Sequence, residues 1–287
     1  MLNEATKTNL RRKSVYIDDV QIIEDTPLFS WIDINPTELC NRKCVFCPRV
    51  DEQQYPNQHL HMDLNLAQKI ADELRSLEYK GVVVFSGFGE PMMHPKFTKL
   101  VAIFKDVCRL EMVTNGDFLN ERKITELSEA GLDYFVVSMY DGEHQVEEFN
   151  KKFAACNIEK SRFILRDRWH NEEDSFGLKL TNRAGMINVG DQAPIDVKHP
   201  CYYTAYSLTL DWNGDVLLCM QDWNHKVKFG NLTNQSLLKI WKSPYYNQYR
   251  RKLLNGSRTC APCSGCNTDG TLHGHEHAKV WRPIISK

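Results

Sequence analysis

Residues 40–47 read CNRKCVFC, which places three cysteines at C-x3-C-x2-C spacing just past a predicted strand, Trp31–Asn35. Soft thiolate ligands select iron–sulfur clusters, zinc or copper(I). A structural zinc site normally completes its tetrahedron with a fourth protein ligand, and none lies near this loop in the sequence. Three thiolates on a cubane cluster instead leave one iron open to a ligand. The spacing therefore favours an open iron–sulfur site, with a zinc knuckle or a chance grouping as the alternative.

The composition is that of a soluble globular protein. The 287 residues include 36 Lys and Arg against 37 Asp and Glu, and no long block of like charges occurs. No apolar run approaches the roughly 18 residues that span a bilayer. Ten cysteines in such a chain are more often metal ligands or catalytic thiols than disulfides. We therefore expect a cytoplasmic protein without nucleic-acid or membrane partners.

Short apolar runs alternate with amphipathic segments between residues 31 and 167. Runs such as Val82–Phe85 and Tyr134–Ser138 have the composition of buried strands. Between the strands, Asp63 and Asn120 are suitable N-caps for helices. Repeated β-then-α units predict a parallel sheet with helices outside, either doubly wound or a partial barrel. In both folds the loops after the strands meet at the C-terminal edge of the sheet, where ligands bind.

The pattern changes after the last predicted strand. Residues 168–200 form a polar connector, and the alternation over residues 206–218 around a turn predicts a β-hairpin. One helix is expected from about residue 237 to 254, followed by a C-x2-C-x2-C segment. Three histidines near the end of the sequence form an H-x-H-x-H pattern: His273, His275 and His277. We expect them in an exposed tail rather than on a metal.

The cysteine loop and the loops after later strands together resemble the radical S-adenosylmethionine (SAM) family. The family's Gly-Gly-Glu-Pro motif has a counterpart in residues 86–91, SGFGEP, with Phe88 inserted where a glycine pair is more usual. The resemblance implies that an open iron binds the amino and carboxylate groups of SAM. The implied cluster ligands are Cys40, Cys44 and Cys47, and the implied SAM contacts are Phe46, Gly87, Gly89, Glu90, Thr114, Asn115, Ser138 and Arg166. Taken singly, each of these contacts has an alternative as a turn residue or a surface charge.

A second cysteine group resembles the auxiliary-cluster domain called SPASM, or its shortened form, twitch. Full SPASM domains carry seven cysteines and two clusters, whereas this group has five: Cys201, Cys219, Cys260, Cys263 and Cys266. The resemblance implies one auxiliary four-iron four-sulfur cluster, closed by the first two cysteines and two of the last three. One thiol is then left over, and the sequence does not say which. A four-cysteine zinc site is the alternative, because spacing does not separate zinc from iron.

The resemblance also implies the architecture. It covers roughly residues 31–270 and predicts an α/β fold, a partial (β/α)6 TIM-like barrel with a small β-hairpin and helix domain for the auxiliary cluster. The expected division is an N-terminal extension over 1–30, the radical SAM barrel over 31–199, and the SPASM or twitch domain with its tail over 200–287.

For function, the resemblance implies an oxidoreductase. An external reductant such as flavodoxin or ferredoxin would reduce the first cluster, and SAM would be cleaved to a 5′-deoxyadenosyl radical that takes hydrogen from a substrate carbon. We expect a small polar substrate, a sugar or an aminocyclitol, whose alcohol is oxidised with the auxiliary cluster as electron acceptor. Arg183 is a candidate substrate contact, and Cys263 and Cys266 are candidate catalytic thiols.

Three alternatives remain open at this point. A spare cysteine that returned hydrogen from the other face would make the enzyme a carbohydrate epimerase. A peptide-modifying SPASM enzyme is less favoured, because only about 30 residues precede the first predicted strand and such enzymes often carry an N-terminal leader-recognition domain. The alternative outside enzymes is a zinc-binding or iron–sulfur protein without SAM chemistry.

Overall fold

One mixed sheet of eight strands organises the chain. The computed structural model describes residues 4–174, 176 and 178–286. The strands are β1 (Ile22–Ile23), β2 (Thr26–Pro27), β3 (Trp31–Ile34), β4 (Val82–Phe85), β5 (Arg109–Thr114), β6 (Tyr134–Met139), β7 (Phe163–Asp167), β8 (Ser207–Leu210), β9 (Asp215–Leu217) and β10 (Lys228–Asn231). In the large sheet their order is β10-β9-β8-β3-β4-β5-β6-β7, while β1 and β2 form a separate hairpin.

Helices cover the outside of the sheet. They are α1 (Glu4–Ile17), α2 (Leu64–Ser76), α3 (Phe97–Ile103), α4 (Glu121–Glu129), α5 (His144–Ala155), α6 (Tyr203–Tyr206), α7 (Leu237–Trp241), α8 (Pro244–Leu254) and α9 (His275–Ile285). The predicted caps are confirmed: the Asp63 carboxylate accepts from the Asn65 N–H, and the Asn120 side chain accepts from the Lys123 N–H. Within the described ranges, no helix is both long enough and apolar enough to cross a bilayer.

The predicted partial barrel is confirmed, and its sixth strand comes from an unexpected place. Strands β3 to β7 run parallel in chain order. β8, which follows the connector, pairs in parallel with β3 and completes six parallel strands. β8 also forms the predicted antiparallel hairpin with β9. The expected barrel and auxiliary units are therefore joined through one continuous sheet.

Helix α1 lies across the beginning of the barrel strands. Arg12 pairs with the buried Glu111 of β5, and its guanidinium lies 4.6 Å from the ring centre of Tyr134, the first residue of β6. The hydroxyl of Ser14 lies 3.2 Å from Nδ1 of His273, in the C-terminal part of the chain. α1 also packs beside β7, at the edge of the sheet. The helix thus fills the space between the last barrel strand and the C-terminal segment.

Two expectations for the C-terminal part are wrong. The helix predicted over 237–254 is two helices, because Ser243 caps α8 by accepting from the Tyr246 N–H and Pro244 occupies its first turn. The histidine tail is not exposed as a whole. His277 is fully buried and its Nε2 lies 3.0 Å from the carbonyl oxygen of Leu28. The end of the chain is an amphipathic helix, α9, whose apolar face joins the core.

Candidate active site

The three cysteines of the first group lie in the loop after β3, at the C-terminal edge of the sheet. The Cys47 N–H donates to the Cys44 carbonyl at 2.9 Å, which folds the loop into a turn. Burial, together with the neighbouring thiol of Cys47, raises the pKa of Cys44 to about 12, and burial raises the pKa values of Cys40 and Cys47 as well. Three partly buried thiols in one loop suit a metal cluster, whose positive charge stabilises the thiolate forms.

Two aromatic rings and an arginine hold the cysteine loop against the barrel. The ring of Phe46 is stacked on Tyr140, which follows β6, with 6.2 Å between ring centres. The Arg42 guanidinium lies 4.9 Å from the Tyr140 ring centre and forms ion pairs with Asp117 and Asp141. These contacts connect the cysteine loop with the loops after β5 and β6.

The glycine-containing loop after β4 brings Glu90 together with the loop after β5. The Glu90 carboxylate accepts from the Thr114 hydroxyl at 2.7 Å and from the Asn115 N–H at 2.8 Å. Burial raises the pKa of Glu90 to about 7. The Asn115 amide donates to the side chain of Asn41, within the cysteine loop, at 2.7 Å. Three predicted SAM contacts therefore converge beside the predicted cluster ligands.

The loop after β4 lies so close to the segment before the cysteine loop that only glycine fits at two of its positions. A Cβ on Gly89 would lie 2.1 Å from the carbonyl oxygen of Thr37, and one on Gly87 would lie 2.7 Å from the Asn35 side chain. Gly87 also has a φ of +140°, which other residues rarely adopt. The glycines thus let the loop after β4 lie directly on the segment that leads into the cysteine loop.

The buried side-chain amide of Asn35 connects the cysteine loop and the loop after β4 with the auxiliary hairpin. Its nitrogen donates to Glu38 and to Asp211, each at 2.8 Å, and its oxygen accepts from the Phe88 N–H at 3.1 Å and the Gly89 N–H at 3.3 Å. This uses both donors and both lone pairs of the amide. Arg49 from the cysteine loop completes the network with an ion pair to Glu38 at 2.8 Å.

Ser138 and Arg166 are register partners on β6 and β7. The Arg166 guanidinium donates to the Ser138 hydroxyl at 2.8 Å. Burial and the nearby charge of Arg168 lower the pKa of Arg166 to about 9. The Nε of Arg166 is buried without a hydrogen-bond partner among the described residues. Such a guanidinium can bind a carboxylate, in agreement with the implied contact to SAM.

The second cysteine group forms a small apolar pocket, which we call the thiol pocket. Four of the five thiols line it: Cys201, Cys219, Cys263 and Cys266. Burial raises the pKa of Cys201 to about 11, and burial together with the other thiols of the pocket raises that of Cys219. Cys260 is absent from the described lining of this pocket. A set of four converging thiolates fits a cubane cluster with every iron ligated.

A cavity of about 290 Å³ lies inside the barrel, and we call it the central cavity. Ser86 and Gly87, from the glycine loop, form one part of its wall, while Cys219 and Gln221, from the auxiliary unit, form another. α1 contributes to a third part. The cavity therefore adjoins the glycine loop on one side and the second cysteine group on another, with a volume suited to a small molecule.

Comparison with known proteins identifies the family. A family model of the radical SAM superfamily matches residues 34–161, and a model of an iron-sulfur cluster-binding domain, SPASM, matches residues 201–267. The chain is a radical SAM enzyme with a SPASM domain. The predicted recognition is thereby confirmed, and the two domains imply a SAM-binding four-iron four-sulfur cluster and an auxiliary cluster.

Relatives of this radical SAM enzyme include dehydrogenases and cofactor-modifying proteins. The S-adenosyl-L-methionine-dependent 2-deoxy-scyllo-inosamine dehydrogenase of Niallia circulans is 28% identical over 246 residues, 84% of this chain and 93% of that protein. The tungsten-containing aldehyde ferredoxin oxidoreductase cofactor-modifying protein of Pyrococcus furiosus is 29% identical, over 46% of this chain and 37% of that protein. An oxidoreductase is thus supported over nearly the whole length.

Solved structures show the same architecture. BtrN in complex with AdoMet and 2-DOIA has a TM-score of 0.75 and 26% identity, covering 88% of this chain and 98% of that one. anSMEcpe with bound AdoMet has a TM-score of 0.54 and 14% identity, covering 89% and 98%, which is a likeness of fold. The non-enzymatic alternative, a zinc-binding protein, is not supported by these similarities.

Sequence reasoning missed several residues of the radical SAM site. Asn35 and Glu38 were not singled out, since an Asn before a proline is typical of an ordinary turn. Asp211 was assigned only to the hairpin turn. Arg183, predicted as a substrate contact, is not among the described residues that line the central cavity. Arg183 still lies near the cysteine loop: burial raises the pKa of Cys47, and the charge of Arg183 partly offsets that rise.

Replacing Asn35 with alanine is expected to destabilise the radical SAM fold. The substitution leaves Glu38 and Asp211 without a shared donor and two buried N–H groups without an acceptor, so we expect the free energy of unfolding to fall by about 3–5 kcal/mol. Urea denaturation measures this change. Asn65→Ala, at an exposed position of α2, is the matched control and is expected to change stability by less than about 0.5 kcal/mol. A similar small change for both variants would contradict the structural role of Asn35.

Gly270→Ala tests whether Cys201 of the thiol pocket is a cluster ligand. A Cβ on Gly270 would lie 2.3 Å from the Cys201 sulfur, whereas one on Gly265 would have its nearest contact at 3.5 Å, with the Ala184 oxygen. We expect anaerobically reconstituted Gly270→Ala to hold about four irons per chain and Gly265→Ala to hold about eight, as two cubane clusters require. Iron and sulfide analysis gives the result. Full iron content in Gly270→Ala would show that Cys201 is not a cluster ligand.

Proposed function

We propose that this radical SAM enzyme dehydrogenates one alcohol carbon of a small cyclic polyol, of the sugar or aminocyclitol class, to a ketone. The supporting observation is the central cavity, whose wall includes Gly87 of the SAM-side loop and Cys219 of the thiol pocket. A substrate in this cavity would lie beside the loop that we assign to SAM, at Gly87, and beside the pocket that we assign to the auxiliary cluster, at Cys219. Similarity to a 2-deoxy-scyllo-inosamine dehydrogenase supports the same substrate class.

The overall reaction removes two electrons and two protons from the alcohol. When bound, SAM and its cluster supply a carbon radical that takes one hydrogen atom from the substrate C–H, and the auxiliary cluster accepts the remaining electron. The hydroxyl proton must then be held by a basic group of the protein. The co-products would be methionine and 5′-deoxyadenosine, and the initial electron would come from an external one-electron donor of the flavodoxin or ferredoxin type.

The chain's own residues bind and orient these groups. We assign Cys40, Cys44 and Cys47 to the SAM-binding cluster. Glu90, fixed by Thr114 and Asn115, lies where it can accept from the SAM ammonium, with Gly87 and Gly89 giving backbone access. Phe46 is placed for the adenine, and Arg166 with Ser138 for the carboxylate. Each assignment follows the resemblance and the convergence of these loops.

For the proton, the cavity favours Asp33 over Arg183. Asp33 is the carboxylate that lines the central cavity within the described ranges, and its Oδ1 accepts from the Ser86 hydroxyl at 3.1 Å. Burial raises the pKa of Asp33, which makes it a better proton acceptor near neutral pH. We retain Arg183 as a group that orients a substrate oxygen from the connector.

The thiol pocket favours dehydrogenation over epimerisation. An epimerase of this kind needs a free thiol beside the substrate radical, and Cys219 is the cysteine among the described lining of the central cavity. Because Cys263 and Cys266 both line the thiol pocket, we assign both as cluster ligands rather than hydrogen donors. The spare thiol is then Cys260, outside the pocket. A fully ligated cluster can take an electron without binding substrate.

A matched pair of cysteine variants tests this proposal. We expect the wild-type enzyme to form 5′-deoxyadenosine and ketone in about equal amounts when reduced anaerobically with SAM and a suitable cyclic polyol. Cys263→Ser is expected to lose at least about 90% of ketone formation while SAM cleavage continues, because the electron acceptor is damaged. Cys260→Ser should keep both.

Products are measured by mass spectrometry, with solvent deuterium present. If deuterium appears at an inverted substrate carbon and no ketone forms, the enzyme is an epimerase and not a dehydrogenase. If 5′-deoxyadenosine forms at the same rate with and without every polyol tested, the assigned substrate class is wrong. Loss of ketone in Cys260→Ser but not in Cys263→Ser would reverse the assignment of the spare thiol.

A further inference from the structure

The wall of the central cavity formed by α1 includes the ammonium group of Lys13. Within the described part of the chain, this group has no hydrogen bond or ion pair. Its nitrogen lies 4.5 Å from the ring centre of Trp31. Burial lowers the pKa of Lys13, and the charge of Asp33 opposes this shift. A buried lysine without a direct partner is costly unless a ligand supplies one.

Positive charge exceeds negative charge at this end of the cavity. Arg12 and Arg109 both bind the same carboxylate, Glu111, at its two oxygens. Of these two arginines, Arg12 lines the cavity; Lys13 is a second cation of the lining, and Asp33 is the carboxylate among its described residues. Burial lowers the pKa of the adjoining His273 to about 4, so this imidazole is neutral near pH 7 and contributes no charge.

Arg166 is left out of this comparison, because we assign it to the carboxylate of SAM. The lining at this end then holds two cations, Arg12 and Lys13, against one carboxylate, Asp33. Neutral polyols can fill the hydrogen-bonding positions of such a cavity without balancing its charge. An ammonium-bearing ligand would add to the excess, whereas an anionic group beside Lys13 and Arg12 would balance it.

We propose that Lys13 is a substrate-binding residue that selects a hydroxylated substrate carrying an acidic group, a carboxylate or a phosphate. This rests on the proposed function, since it concerns the same cavity. It changes the expected substituent, because the acidic group lies at the α1 end and the oxidised alcohol lies toward Ser86 and Cys219. α1 is then a determinant of specificity as well as a closure of the barrel.

Calorimetric titration of the reconstituted enzyme with SAM and without reductant tests binding apart from turnover. The probes are myo-inositol, myo-inositol 1-phosphate, glucuronate and glucosamine. At least one acidic probe is expected to bind about ten-fold more tightly than myo-inositol and glucosamine, as one charge-assisted hydrogen bond provides. The stronger of the two acidic probes distinguishes phosphate from carboxylate.

Lys13→Met is the decisive variant, since it keeps the side-chain length and the apolar contact with Trp31 while it removes the charge that faces the cavity. We expect it to reduce the preference for the acidic probe to about two-fold or less. Arg11→Met, at an exposed position of the same helix, should retain the full preference. Equal binding of acidic and neutral probes by the wild type, no measurable binding of either acidic probe, or an unchanged preference in Lys13→Met would each overturn the inference.

The two proposals fail separately. If acidic probes bind through Lys13 but no bound probe yields ketone after reduction, the inference holds and the dehydrogenase proposal fails. If a neutral or amino polyol is oxidised while Lys13→Met leaves every affinity unchanged, the dehydrogenase proposal holds and Lys13 has no part in selection.

Discussion

The amide of Asn35 is the point on which the site depends. It donates to Glu38 and Asp211 and accepts from two N–H groups of the glycine loop, so that three chain segments meet at one side chain. No other uncharged side chain offers two donors and two acceptors in one plane except glutamine, which is one carbon longer. Fully satisfied buried networks of this kind fix a single arrangement. The hydrogen bonds of Asn35 therefore fix the position of the cysteine loop relative to the auxiliary hairpin.

Much of this site could be predicted because its elements are local in sequence. The cysteine spacing, the β-then-α alternation and the strand-end position of Glu90 and Asn115 are each contained in a short window. Parallel topology then brings strand ends to one edge, whatever the details of packing. The helix break at Ser243-Pro244 is equally local, because a serine followed by a proline is an N-cap and first-turn signal that a short window contains.

Other features depended on contacts between residues far apart in the chain. The burial of His277 against Leu28 joins two ends of the sequence, and no periodicity reports it. The spare thiol could not be chosen from five cysteines, because the choice depends on which sulfurs line the same pocket. β8 has the pattern of an ordinary hairpin strand, and only its pairing with β3 makes it part of the barrel.

Helix α1 lies outside both matched ranges, yet it forms part of the wall of the central cavity. A protein shortened to the two matched ranges would keep every cysteine and both loop motifs. Without α1, however, its central cavity would be open to water. A radical held there would then meet solvent instead of a protein wall. Relatives that share every recognisable motif but differ before the first barrel strand can therefore differ in what they admit and in how well they protect it.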